Sequence, residues 1–140
     1  QQLFAELDVT PERTALGNLT RYSADGIDIL VGDIFDVTPE VLGAIDVVYD
    51  RAALVALPDD MRRRYAAHLM HITERAPQFL ITFIYDQTLM NGPPFSVTEE
   101  EVRRCYADHY GLERIAAVDV AGGLKGICPA TENVWLLRAV

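Results

Sequence analysis

Three short apolar runs, at residues 27–31, 45–49 and 79–85, have the length and side-chain content of β-strands. A segment that could do chemistry follows each run. In open α/β sheets, ligands bind beyond the carboxyl ends of the strands, so we expect these segments to converge on one cleft. The residues that open them are Asp33 and Ile34, Asp50 and Arg51, and Tyr85.

Two of these positions allow more than one interpretation. Asp33 is either a turn or helix cap, the commoner role of an aspartate after a strand, or an acceptor for the exocyclic amine of a nucleobase, with Ile34 as an apolar wall. Arg51 either pairs with the neighbouring Asp50 or presents its planar fork of donors to a carboxylate or a developing anion in the cleft.

The segment 86–97 is too long for a tight turn and contains Gly92-Pro93-Pro94-Phe95. The two prolines stiffen the backbone and give Phe95 a defined direction, which favours a lid over the cleft. The alternative is a rigid surface connection that Phe95 anchors to the core.

Other residues with chemical potential have simpler explanations. His68 and His71 lie three apart on a predicted helix, but no third ligand follows at metal spacing, so we expect no metal site. Cys105 falls on the apolar side of its helix and is expected to be an inert thiol. The run 62–64 of three arginines is expected to be a solvated helix face.

Helical periods alternate with the strands. Residues 59–75 form a predicted amphipathic helix, and a second helix begins at Thr98, which forms a capping box with Glu101, and stops at Gly111. Residues 112–120 and 134–137 are predicted as antiparallel neighbours. This order predicts a mainly parallel sheet with helices on both faces and 79–85 as a strand covered on either side.

The composition predicts one domain spanning all 140 residues. A formal charge of −9 repels nucleic acid and anionic lipid. The two cysteines lack the spacing of a disulfide framework, and neither an export signal nor a membrane span is evident, so we expect a cytoplasmic protein.

Taken together, these segments resemble the thiopurine S-methyltransferase family, specifically its bacterial members. The matching motifs run in family order over nearly the whole chain. They are Gly32-Asp33-Ile34-Phe35, Tyr49-Asp50-Arg51-Ala52-Ala53-Leu54-Val55-Ala56-Leu57-Pro58, Met61-Arg62-Arg63-Arg64-Tyr65, Leu80-Ile81-Thr82, Tyr85-Asp86-Gln87 and Gly92-Pro93-Pro94-Phe95-Ser96-Val97.

The resemblance implies an α/β fold, the Rossmann-like sheet of class I S-adenosylmethionine-dependent methyltransferases, here partial and ending in an antiparallel hairpin. It also implies the cofactor S-adenosylmethionine. By the same resemblance, the cofactor-binding residues are Asp33, Ile34, Asp50 and Arg51, with Arg51 also the candidate catalytic residue. The acceptor-binding residues it implies are Tyr85, Pro93, Pro94 and Phe95.

The implied activity is methylation of thiopurines or aromatic thiols. Selenium or tellurium oxyanions are an alternative acceptor class, associated with tellurite resistance. A second alternative is a non-catalytic nucleotide-binding or interaction fragment. A nicotinamide-binding domain is disfavoured because the sequence has no Gly-x-Gly-x-x-Gly motif.

The family's first two strands and its cofactor-binding loop would precede Gln1. We therefore expect this chain by itself to be inactive. We also expect it either to self-associate through the strands at 27–31 and 45–49, which become unpaired edges, or to be the ordered remainder of a longer protein. The parent protein is expected to be a monomer.

Overall fold

The computed structural model describes residues 2–140, which fall into two compact units that divide after Gly43. The N-terminal one is unit 1 and the C-terminal one, which begins at Ala44, is unit 2. The expectation of a single domain is not tested by this division and stays a prediction.

Unit 1 is built on a three-stranded antiparallel sheet. A short helix, α1 (Gln2–Glu6), precedes strands β1 (Glu12–Leu16), β2 (Leu19–Ala24) and β3 (Ile27–Val31), which pair in the order β1-β2-β3. A 3-10 turn (Ile34–Asp36) and a four-residue helix, α2 (Pro39–Leu42), follow β3.

The antiparallel pairing of β3 corrects the expected mainly parallel sheet. Two residues, Asp25 and Gly26, separate β2 from β3, and a connection that short joins only antiparallel strands. Gly26 has a φ of +80°, as tight hairpin turns require. The Asp-Gly pair was therefore a hairpin signal within the sequence itself.

Unit 2 contains a four-stranded mixed sheet and two longer helices. Its elements are β4 (Val48–Asp50), α3 (Asp59–Ile72), β5 (Gln78–Tyr85), α4 (Glu99–Tyr106), β6 (Tyr110–Asp119) and β7 (Ala130–Ala139). The strand order is β4-β5-β7-β6. Within residues 2–140, β4 with β5 is the one parallel pair, and the predicted antiparallel hairpin of β6 with β7 is confirmed.

One face of the unit 2 sheet is buried, and helix α3 reaches it through the hydrogen bond from the Tyr65 hydroxyl to Asp50 on β4. Trp135 is fully buried there and donates from Nε1 to Thr82 Oγ1 at 3.0 Å, and Tyr110 donates to the Ala76 carbonyl at 2.6 Å. On the opposite face, Phe79 is 40% exposed and Tyr49 is 66% exposed. The expectation that β5 is covered on either side is wrong for its first part.

Both predicted helices are present, with shifted ends. Thr98 caps α4 by accepting from the Glu101 amide at 3.3 Å, as the capping-box pattern indicated. Helix α4 nevertheless ends at Tyr106, and Gly111 lies within β6 rather than stopping the helix.

Arg62 contradicts the expected solvated arginine run. Its side chain is buried and donates to the Leu57 carbonyl, to Asp59 and to Glu101, with the ion pair to Glu101 at 3.2 Å. Arg62 shares the helical stripe of Tyr65, so it faces inward whereas Arg63 is exposed. A buried charge of this kind is tolerated because it is paired.

Among residues 2–140, no helix combines the length and the apolar character that crossing a membrane requires.

Self-association through strand edges stays a prediction. Strand β4 ends one side of its sheet, and Tyr49 on it is largely exposed. We expect light scattering on the 140-residue chain to show a species heavier than 15.6 kDa whose proportion rises with concentration. A monomer at every concentration would contradict the prediction.

Candidate functional site

One edge of the unit 2 sheet gathers most of the predicted site residues. Strands β4 and β5 are parallel, so Asp50 and Tyr85 end at the same edge. Strand β7 runs antiparallel to β5, and its first residue, Ala130, pairs with Tyr85. The segments that follow β4 and β5 therefore start side by side, together with the connection between β6 and β7.

Asp50 holds the turn that follows β4. Its side chain is 3% exposed, and its Oδ1 accepts from the amides of Ala53 and Leu54 at 3.1 and 3.3 Å. Its Oδ2 accepts from the Tyr65 hydroxyl of α3 at 2.8 Å. Burial, and then the charge of Asp50, raise the pKa of Tyr65 well above its usual value, so this hydroxyl stays a proton donor.

Arg51 is exposed at the start of that turn. Within residues 2–140, no ion pair joins Arg51 to Asp50, whose oxygens accept three other hydrogen bonds. Of the two interpretations of Arg51, the geometry rejects pairing with Asp50. It leaves a guanidinium on a rigid turn at the sheet edge.

The geometry of Asp50 favours an indirect role. A direct contact between Asp50 and the cofactor stays a prediction. Both carboxylate oxygens of Asp50 already accept hydrogen bonds from other groups of the protein. What it does in this structure is to fix the backbone that carries Arg51.

The segment 86–97 is fastened to its surroundings by hydrogen bonds. The Tyr85 hydroxyl donates to the Pro94 carbonyl at 2.6 Å, and the Tyr85 amide donates to Ser96 Oγ at 3.0 Å. The amide of Val97 donates to the Phe83 carbonyl at 2.8 Å. These contacts favour the rigid connection over the lid, and Pro93, Pro94 and Phe95 form a fixed, largely apolar wall.

A backbone contact joins the two loops of the site. The Phe95 amide donates to the Val55 carbonyl at 2.7 Å, and Val55 is in the 3-10 turn (Leu54–Ala56) just after Arg51. The structure thus brings the turn of Arg51 and the wall of Phe95 together within unit 2.

The connection between β6 and β7 was missed by sequence reasoning. Lys125 Nζ donates to the Pro93 carbonyl at 2.9 Å, so this connection also supports the wall. Gly123 has a φ of +80°, and a Cβ there would lie 2.6 Å from the Cys128 carbonyl oxygen, so only glycine fits. The cluster of glycines at 122, 123 and 126 was the available signal.

A groove of about 460 Å³ opens beside this connection. Ile84, Asp119, Thr131 and the glycines of the connection line it. Its size is that of a small-molecule pocket.

Unit 1 carries the other two predicted cofactor residues. Asp33 caps the 3-10 turn after β3, where its Oδ1 accepts from the Phe35 amide at 2.9 Å. The cap interpretation is therefore confirmed, and this bond engages one carboxylate oxygen. Ile34 is 38% exposed on the same turn.

Comparison with known proteins identifies the family of this chain. The family model described as "Thiopurine S-methyltransferase (TPMT)" matches residues 1–139. The chain belongs to the thiopurine S-methyltransferase family.

Curated relatives agree with this family assignment. The chain is 58% identical over 138 residues to a protein of Xanthobacter autotrophicus named "Thiopurine S-methyltransferase", covering 99% of this chain and 65% of that protein. Proteins of the same name from Gluconobacter oxydans and Teredinibacter turnerae are 51% and 50% identical. The matches cover 96% and 98% of this chain but 61% and 64% of those proteins. The chain therefore spans under two thirds of the length of these relatives.

Thiopurine S-methyltransferases have the class I methyltransferase fold, and the mixed sheet of unit 2 is a partial sheet of that fold. Parallel β4 and β5, followed by the antiparallel hairpin of β6 and β7, correspond to the expected fold class.

Two further expectations concern metal binding and thiol reactivity. Among residues 2–140, no three His, Cys, Asp or Glu side chains cluster as a metal site. Burial, and then the Glu101 carboxylate, raise the pKa of the Cys105 thiol to about 12. A buried thiol that stays protonated at neutral pH is a poor nucleophile, as expected from its helix position.

Proposed function

We propose that this chain carries the acceptor side and part of the cofactor site of an S-adenosylmethionine-dependent methyltransferase whose acceptor is an aromatic thiol of the thiopurine kind. Family membership supports methyl transfer, and one structural observation supports the location. That observation is the hydrogen bond from Phe95 to Val55, which ties an exposed arginine and a rigid apolar wall together at one sheet edge.

The residues present fit S-adenosylmethionine in their chemistry. In unit 2, Arg51 offers a planar pair of donors suited to the cofactor carboxylate. In unit 1, taken by itself, Asp33 with Ile34 offers an acceptor and apolar surface suited to adenine. The cofactor supplies a methyl group that is already activated by a positively charged sulfur.

The protein then has mainly to align the acceptor. In-line transfer needs the acceptor sulfur about 3–3.5 Å from the methyl carbon, and a wall fixed in advance avoids ordering costs during binding. When bound, the cofactor would supply the methyl group that the acceptor thiolate takes up, and the wall of Pro93, Pro94 and Phe95 would orient that thiolate. We propose that Arg51 contacts either the cofactor carboxylate or the acceptor anion.

The wall favours an aromatic thiol over a selenium or tellurium oxyanion. Pro93, Pro94 and Phe95 offer stacking and apolar surface, whereas a small oxyanion is bound through several charged donors. We keep the metalloid oxyanions as the alternative acceptor class.

The decisive experiment uses a joined protein, in which the part of the Xanthobacter autotrophicus relative that this chain does not match is fused to residues 1–140. We expect it to methylate 6-mercaptopurine with S-adenosylmethionine as donor, and to methylate selenite more slowly. The 140-residue chain by itself is expected to bind the cofactor weakly or not at all by calorimetry. A joined protein that is folded but transfers methyl to neither acceptor would refute the proposal.

Replacing Phe95 with alanine in the joined protein should weaken acceptor binding more than cofactor binding. The side chain belongs to the wall, while its backbone bond to Val55 survives the change. We expect the dissociation constant for 6-mercaptopurine to rise about 10-fold. This rise corresponds to losing roughly half of the free energy of a buried aromatic contact. Equal losses for both ligands would show that Phe95 is a core anchor.

A further inference from the structure

The Gln87 amide is hydrogen-bonded at both of its ends. Its Nε2 donates to the Tyr85 hydroxyl and to the Met90 carbonyl, each at 2.8 Å. Its Oε1 accepts from the Ser96 amide at 2.9 Å. One exposed side chain thereby connects the end of β5 to both halves of the segment 86–97.

These bonds form a closed ring with Tyr85. The Tyr85 hydroxyl accepts from Gln87 and donates to the Pro94 carbonyl, while the Tyr85 amide donates to Ser96 Oγ. The hydroxyl proton of Tyr85 is therefore already committed to Pro94. In this arrangement Tyr85 contributes its position and its ring to the site, rather than a free proton.

The two consecutive prolines explain why side chains are needed to hold this segment in place. Pro93 and Pro94 have no amide hydrogen, so their own backbone can be held only through carbonyl oxygens. Donors from elsewhere reach both carbonyls, Lys125 for Pro93 and Tyr85 for Pro94. Gln87 orients the second of these donors and also takes the next free amide, that of Ser96.

We infer that Gln87 is a positioning residue that holds Tyr85 and the Pro93–Pro94–Phe95 wall ready for the acceptor. The inference rests on the proposed function, because it assigns the wall to the acceptor. Few other side chains would serve. Glutamate lacks the donors for Tyr85 and Met90, and asparagine is one methylene shorter.

The kinetic test replaces Gln87 with alanine in the joined protein. The wall then has to be ordered at the moment of binding, which weakens acceptor binding without changing the reacting groups. We expect KM for 6-mercaptopurine to rise about 10-fold, while kcat and the cofactor dissociation constant stay within twofold.

Thr88→Val is the matched control. It removes a hydrogen bond of the same segment, from the Thr88 hydroxyl to Asp86 at 2.6 Å, and leaves the ring intact. We expect unchanged KM in this control. A rise equal to that of Gln87→Ala would show that any loosening of the segment has the same effect, and would overturn the inference.

A double-mutant cycle with Tyr85→Phe separates positioning from general stability. If Gln87 acts through the Tyr85 hydroxyl, the double variant should have nearly the KM of one single variant. Independent, additive effects would overturn the inference, as would a fall in kcat together with a lowered melting temperature.

A readout without activity keeps this inference distinct from the proposed function. In the 140-residue chain, Gln87→Ala removes the acceptor of the Ser96 amide, so hydrogen exchange there should become at least 10-fold faster, and Thr88→Val should leave it unchanged. Unchanged exchange in Gln87→Ala would refute the ring itself. An inactive wild-type joined protein with the expected exchange would instead refute only the assignment of the wall to the acceptor.

Discussion

Replacing Arg51 with lysine in the joined protein is expected to lower kcat/KM for 6-mercaptopurine by roughly 10- to 100-fold, or about 1–3 kcal/mol. The charge is kept, but an ammonium cannot reproduce the two parallel donors of a guanidinium. Arg51 is suited to such a contact because its turn is fixed by Asp50 and no ion pair with Asp50 engages it in residues 2–140.

Arg63→Lys provides the control for Arg51. Arg63 is exposed on α3, and the same change of cation there should leave kcat/KM unaltered. The constant that changes in Arg51→Lys identifies the group that Arg51 contacts. A raised dissociation constant for the cofactor would place Arg51 at its carboxylate, and a raised KM for the thiol would place it at the acceptor. Wild-type kinetics in Arg51→Lys would remove Arg51 from the proposed site.

Replacing Asp50 with alanine is expected to destabilise unit 2 by about 3 kcal/mol. The change leaves three donors without their acceptor, the amides of Ala53 and Leu54 and the buried hydroxyl of Tyr65. Urea unfolding of the 140-residue chain measures it directly. Trp135 is the sequence's only tryptophan and is buried in unit 2, so its fluorescence reports on this unit.

Two variants check the explanation for Asp50. Asp50→Asn keeps the side-chain shape and one acceptor oxygen. We therefore expect about half of the loss in unfolding free energy that Asp50→Ala causes. Asp60→Asn removes an exposed carboxylate from the first turn of α3, where the loss should stay below about 1 kcal/mol. Equal unfolding midpoints for Asp50→Ala and the wild type would contradict the structural role assigned to Asp50.

Much of the fold could be predicted from local patterns. The stripe of Tyr65, Leu69 and Ile72 predicted α3, and Thr98 with Glu101 predicted the start of α4. The hairpin of β6 and β7 was also predicted, because its two apolar runs have no helical segment between them. These elements can be predicted from sequence because the interactions that form them join residues only a few positions apart in the chain.

Two of the predictions from sequence were wrong for identifiable reasons. The Asp25-Gly26 turn makes β3 antiparallel, whereas the alternation of strand and helix periods predicted a mainly parallel sheet. Arg62 was grouped with two exposed neighbours, although its position three residues before Tyr65 places it on the buried stripe. Both signals were in the sequence and were outweighed by broader patterns.

The sequence by itself determined the family, the order of most strands and helices, and the sheet edge that carries Asp50, Arg51 and Tyr85. Tertiary structure decided what these residues do there. Asp50 pairs with a tyrosine 15 residues away, and the wall is held by Val55 and Lys125, which lie 40 residues before Phe95 and 32 residues after Pro93. Partners so distant in the chain meet only when the whole sheet and its helices pack, because hydrogen bonding and burial depend on distance in space and not on spacing along the sequence.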